Sequence, residues 1–349
     1  MERQSNFELL RIILITFVIM LHYNSSVAFS FINEASFINK AFLYGIESLS
    51  LCAVNAFVCL SGFFLHSKSK INIRKIIHLF LILFAFRIFF YIPNSIIHHN
   101  FQIKEIILCF FPNNYYANLY SVVFLLSPFL NLITNNLTPK RNKAFLILLI
   151  SLFSILPTIT DYIYPTLFNG NQPTSTSAIS KFGNGRGFTL INFILLYYIG
   201  SYIARMKYCS IKKSLFIYLF SSLSIFILMF INHPAVISYC NIFVVLQAAS
   251  LIILFSNINL QSKTVNFIAK SVWGIYVIHI SFIDIYCKYF PFNINGTLFS
   301  LSMHFLICII SVFICSLLWD KISTIILKPI ELLFDKNKLF NRSISVKEE

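Results

Sequence analysis

Apolar residues along this chain come in blocks of about twenty, set apart by short polar and basic segments. A helix needs about 20 mostly apolar residues to cross a bilayer. That window predicts ten spans, at 9–29, 43–65, 74–97, 118–136, 143–160, 188–205, 212–231, 236–256, 265–285 and 298–320. The fourth and the ninth are interrupted by polar residues. Residues 101–112 are apolar but too short to cross, and suit the membrane interface. The expected fold is an all-α integral membrane protein of about ten transmembrane helices, with a transmembrane domain over 1–325 and a tail over 326–349.

Composition narrows the class. Only 11% of the residues are charged and 58% are hydrophobic, against about 25% charged in a soluble domain. The net charge of +15 is scattered in short clusters between apolar runs, which argues against a nucleic-acid surface. Lys68, Lys70, Arg74 and Lys75 follow span two, and Lys140, Arg141 and Lys143 follow span four. Arg205, Lys207, Lys212 and Lys213 follow span six, Lys263 and Lys270 follow span eight, and Lys321, Lys328, Lys336, Lys338 and Arg342 lie after span ten. The alternate loops hold only Lys40, Lys104, Lys181, Arg186 and Lys288. By the positive-inside rule both termini are cytoplasmic, as an even number of spans requires.

The N-terminal apolar run lacks a small-residue cleavage site and reads as a retained first span rather than a signal peptide. None of the eight cysteines forms a CxxC pair. The adjacent His98 and His99 have no carboxylate or cysteine at ligand spacing, so no metal is expected. The Asn-, Gly-, Pro- and Ser-containing stretch 161–187 falls on the outer side, as a connector or as a lid contacting an acceptor. No internal repeat is visible, which weighs against an inverted-repeat transporter. Lys-rich, Asn- and Ile-rich usage fits an AT-rich bacterial genome, and the expected location is the bacterial cytoplasmic (inner) membrane.

Polar residues inside apolar spans are costly and therefore mark function by default. Arg11 and His22 are eleven residues apart in the first span. At ~100° per residue they share one helix face, roughly 16 Å apart along the axis. Arg11 is either an interfacial topology anchor or one end of a lined cavity. His22 is either satisfied by a neighbouring helix or the working end of that cavity. Asn55 must find partners in hydrocarbon. Ser61 and Gly62 permit close approach by a helix or a ligand. Arg87, set among aromatics, is paired structurally or aimed at an anion. Glu47 and Asp284 lie toward the outer ends of their spans, where interfacial solvation explains them, and His279 is a second deep histidine.

These residues resemble membrane acyltransferase family 3. The run NFELLRIILITFVIMLHY is similar to that family's opening, an Arg, ten residues and a His, matched by Arg11 and His22. In order, VNAFVCLSGFFL, LYSVVFLLSPFLN, FTLINFILLYYIGSYIARM and SVWGIYVIH resemble four further family segments. Two departures stand out. Many members carry Trp-Ser-Leu and a following Glu in the fourth span, where this chain has Leu119, Tyr120 and Ser121 and no following Glu. Some members also append an esterase-like domain, which is here either absent or supplied by a partner.

The resemblance implies transfer of an acyl group, usually acetyl, from cytoplasmic acetyl-CoA or another acyl-CoA. The acceptor would be a hydroxyl of a cell-surface or lipid-linked glycan. Arg11, Ser61 and Arg87 are then donor-binding residues. His22 is a general base or a nucleophile forming an acyl-histidine. Asn55, Tyr120, Ser121 and His279 are substrate or oxyanion contacts. The partners implied are acyl-CoA, the glycan and the bilayer, with no nucleic acid. A transporter or flippase for a lipid-linked glycan uses the same polar cavity and is the competing reading. N-acylation, or acylation of a peptide or small metabolite, is not separated by these motifs.

Overall fold

The computed structural model describes residues 4–25, 32–97, 99–109, 114–160, 187–206, 210–291, 293–336 and 343–346. The expected outer loop at 161–187 lies outside them except for Gly187. So do residues 26–29 of the first expected span, 110–112 of the short apolar stretch, His98, and 337–342 and 347–349 of the expected tail.

Within the described residues the chain is helical almost throughout. Helix α1 (Ser5–Tyr23) is followed by α2 (Phe37–Ser50), α3 (Ala53–Leu65), strand β1 (Lys70–Asn72), α4 (Arg74–Ile97), α5 (Ile103–Cys109) and α6 (Tyr115–Asn136). Then come α7 (Pro139–Thr160), with a π-turn at Ser151–Ile155, α8 (Leu190–Ile203), α9 (Ile211–Val236) and α10 (Ile242–Ser256). The chain continues with α11 (Lys263–Ala269), α12 (Val272–Tyr289), α13 (Leu298–Lys336) and strand β2 (Ser343–Ser345).

Seven of these units are long and apolar enough to cross a membrane, with α2 and α3 together making one of them. An eighth is the pair α11 and α12, bent by 57° where polar residues interrupt the ninth expected span. The other two expected spans are α8 and α10, with 14 and 15 residues. They extend only ~21 and ~22 Å, short of the ~30 Å hydrocarbon core. All ten expected spans therefore meet a helix, but two are too short to cross alone.

Both short helices are enclosed by protein. Phe193, Leu195, Leu196 and Tyr197 of α8, and Val244, Ala248 and Ile252 of α10, are buried. A helix that starts inside a core has N–H groups that water cannot reach, so it needs a side-chain cap. Thr189 Oγ1 accepts from Asn192 N at 3.3 Å, and Asn241 Oδ1 accepts from Phe243 N at 3.0 Å. Helices α3 and α8 meet backbone to backbone. A Cβ on Gly62 would enter the Tyr197 carbonyl, and a Cβ on Gly200 would enter that of Cys59. Small residues at a helix crossing allow this approach where lipid supplies no hydrophobic drive.

Helix α1 is central, touching α2, α3, α10, α11, α12 and α13. Leu10, Leu14, Ile15 and Ile19 are fully buried. Asn6 Nδ2 donates to the Phe255 carbonyl at 2.8 Å, and the Ser262 amide donates to Ser5 Oγ at 3.0 Å. At the other end, the Tyr23 hydroxyl lies 2.8 Å from His304 Nδ1.

The two strands fall below the length a hydrophobic pattern reveals. They pair antiparallel, with Ile71 opposite Ile344 and the Val346 amide donating to the Ser69 carbonyl at 3.1 Å. Ile344 packs on the cluster of Ile71, Ile76 and Phe124. The C-terminal segment, expected as a tail from 326, is thus helical through Lys336 and then returns as a strand beside the loop that follows α3.

Candidate active site

Helices α1, α3, α4, α6 and α13 and the α11–α12 bend surround a cavity of about 680 Å³. Its lining on α1 is Glu8, Arg11 and Val18, and four residues further on the same face comes His22. The 3-7-4 spacing keeps all four on one side of a 3.6-residue helix, so the face predicted for Arg11 and His22 turns inward rather than to lipid.

The cavity is graded along its length. At one end stand Arg11, Lys75, His78, Lys270 and Lys321, brought together from four regions of the chain. Two carboxylates, Glu8 and Asp320, share that end. Arg11 Nη1 pairs with Glu8 Oε1 at 2.6 Å, and the Arg11 guanidinium lies 5.5 Å from the Phe64 ring centroid. Lys321 Nζ stands 4.2 Å over the Phe267 ring. Aromatic rings form the middle. Tyr116 is stacked on Tyr120, at 5.8 Å and 17°, and Trp273 on Tyr276, at 5.2 Å and 21°. Toward the far end the lining includes the aliphatic Val18, Val54 and Ile82, and the Tyr276 ring lies 5.8 Å from that of His279.

Two histidines lie beyond this end, one turn past Val18 on α1 and three residues past Tyr276 on α12. The rings of His22 and His279 are 4.9 Å apart, centroid to centroid. His279 Nδ1 is 2.7 Å from the Tyr276 carbonyl and 3.2 Å from that of Ile275. Carbonyl oxygens only accept, so Nδ1 carries the hydrogen and Nε2 holds a lone pair. Nε2 is buried with no hydrogen-bond partner among the described residues. The neutral His279 ring thus offers a proton acceptor, whereas an oxyanion contact requires a donor.

The remaining sequence-predicted residues divide. Ser61 and Tyr120 line the cavity with Arg11, and Ser61 Oγ donates to the Phe57 carbonyl at 3.0 Å. Asn55, Ser121 and Arg87 are not in the lining. Asn55 Nδ2 is bound to the Tyr239 carbonyl at 2.7 Å, and its Oδ1 is buried without a partner among the described residues. Ser121 Oγ donates back to the Ala117 carbonyl at 2.6 Å. Arg87 Nη1 donates to the Leu108 carbonyl at 2.8 Å, joining α4 to α5. Sequence reasoning missed Lys270 and Lys321 as cavity residues because both count as ordinary positive-inside charges. It missed Glu8 and Asp320 altogether. For Glu8 the signal was present, an acid three residues before an arginine at helical spacing. Among the described residues no group of three His, Cys, Asp or Glu is placed to hold a metal ion.

Neither the curated proteins nor the solved structures contain a match to this chain. A family model described as an acyltransferase domain matches residues 4–320, nearly the whole sequence and all the cavity helices up to Asp320. The chain belongs to acyltransferase family 3 and is a membrane acyltransferase that transfers acyl groups other than amino-acyl groups.

Proposed function

We propose that this enzyme is an O-acyltransferase that takes an acyl group from acyl-CoA at the cytoplasmic face of the bacterial inner membrane. It delivers that group to a hydroxyl of a cell-surface or lipid-linked glycan. The observation that carries the reading is the grading of the cavity, cationic at one end and with a histidine pair one helical turn beyond its lining at the other. Acyl-CoA has the same order of chemistry, polyanionic at one end and a thioester at the other. Arg11, Lys75, Lys270 and Lys321 suit its phosphates. The aromatic middle suits the thin pantetheine arm, and the basic end is the cytoplasmic one, with both termini on that side.

In this mechanism His22 removes the proton from the acceptor hydroxyl as its oxygen attacks the thioester carbonyl. A C–O bond forms, the C–S bond breaks, and the proton passes from His22 to the departing thiolate. His279 Nε2, next to His22, accepts a hydrogen bond from the imidazolium while the charge exists. Attack by His22 itself, through an acyl-histidine, uses the same arrangement. Family membership favours transfer over transport as the purpose of the cavity.

The test is transfer of labelled acetyl from acetyl-CoA to a lipid-linked glycan by the reconstituted chain. Wild type should label the glycan, and His22→Ala should lower the rate by about 10²–10⁴-fold. Glycan that crosses vesicles without acyl-CoA, and stays unlabelled when acyl-CoA is present, would overturn the proposal in favour of transport.

A further inference from the structure

We propose that the inner end of the cavity is an acyl-length ruler, in which Val18, Val54 and Ile82 admit a short acyl group and turn away a long one. This rests on the acyl-CoA reading above.

The first support is position. Helix α1 runs from the cationic end toward the histidines, and Val18 is its last residue in the lining. Helix α3 runs the opposite way, and Val54 is its first. Helix α4 runs parallel to α1 from Lys75, and Ile82 is its last. Val18, Val54 and Ile82 are therefore the lining residues of α1, α3 and α4 furthest from the cationic end, and Val18 stands one helical turn short of His22. A thioester carbonyl within reach of an acceptor hydroxyl held by His22 lies at this level, and its alkyl substituent faces these side chains. The opposite end, with four permanent cations, is closed to hydrocarbon by desolvation.

The second support is rigidity. Val18 and Val54 are lining residues only 2% and 4% exposed, so each is held by protein on nearly every side but the one it turns to the cavity. Their neighbours along the chain, Leu14, Ile15 and Ile19 on α1 and Cys52, Ala53 and Ala56 beside Val54, are all fully buried. An interior packed to this density cannot retreat to make room. Valine in a helix is held to one dominant rotamer, so neither side chain swings aside.

A wall of this kind discriminates by added methylenes, each worth about 10–200-fold against a closed apolar pocket. The experiment measures CoA thiol release by the reconstituted full chain from acetyl-, butanoyl- and octanoyl-CoA, each with the lipid-linked glycan that wild type labels as acceptor. Wild type should favour acetyl over octanoyl in kcat/KM by at least about tenfold. Val18→Ala and Val54→Ala should each move that ratio about tenfold toward the longer donors, and Val54→Leu should lower butanoyl relative to acetyl. The ratio is internal to each variant, so partial misfolding lowers all donors together and leaves it unchanged. A wild type indifferent to chain length, or ratios unchanged in all three variants, would overturn the ruler alone. Absence of thiol release from any donor by wild type would overturn the donor reading and the ruler with it.

Discussion

The rings of His22 and His279 stand 4.9 Å apart with an interplanar angle of 58°, although they come from the first and the ninth expected spans. His22 is partly exposed, and His279 is 1% exposed and held by two backbone carbonyls. A base and an immobilised neighbour form a unit. His22→Ala should lower kcat by about 10²–10⁴-fold. His279→Ala should lower it by about 10²-fold through loss of alignment. The double variant should be no slower than His22→Ala, because groups acting together are not additive. Steady-state kinetics on the reconstituted enzyme check this, and multiplicative losses would separate the two residues.

Arg11 should contribute to donor binding and to stability by separable routes. Arg11→Ala leaves the Glu8 carboxylate, buried at 4% exposure, without its 2.6 Å partner, at a cost of about 1–3 kcal/mol. Adding Glu8→Gln should restore the melting temperature but not the donor KM. Recovery of both would reduce Arg11 to a structural role.

The crossing of α3 and α8 predicts a sharp contrast among glycines. Gly62→Ala and Gly200→Ala each push a methyl into a carbonyl of the opposing helix and should cost at least about 1–3 kcal/mol. Gly45→Ala meets nothing within 4 Å and should be neutral or stabilising by up to about 1 kcal/mol. Thermal unfolding in detergent distinguishes the three.

The pairing of β2 with β1 ties the C-terminal segment to the cavity wall. Ile344 packs with Ile71, Ile76 and Phe124, and the same cluster touches Tyr120, while Lys75 Nζ lies 5.9 Å over the Phe124 ring. Ile344→Asp should detach the strand and raise the acyl-CoA KM by about tenfold, the equivalent of about 1.4 kcal/mol, with kcat held. Ile344→Val should behave as wild type. A fall in kcat with KM unchanged would refute this link.

What could be read from the residues alone follows the range of the interactions involved. Apolar blocks made the helices visible because each answers to its own sequence, and the common face of Arg11 and His22 follows from helical periodicity. The shortness of α8 and α10 was hidden. Their apolar runs extend into Thr189 and Asn241, which cap rather than continue the helices, and a fixed-length window counts both sides of that boundary. Ser121 and Asn55 looked available for chemistry, but their hydrogen bonds run to Ala117 and Tyr239, and the second of these depends on tertiary packing. The meeting of His279 with His22, and of Lys321 with Lys270, likewise depends on how distant helices pack, which no single-helix pattern encodes.

The pair formed by Glu8 and Arg11 has a consequence for biogenesis. The hydrogen-bond partners that fix the two ends of α1 are far along the chain, 249 residues away for Asn6 and 281 for Tyr23. At ~5–20 residues per second of synthesis, the first helix waits on the order of ten seconds to a minute before they emerge. A lone guanidinium would be a liability to the nascent segment during that interval. Its counter-ion arrives on the preceding turn of the same helix, so Arg11 is neutralised before either of those distant partners has been made.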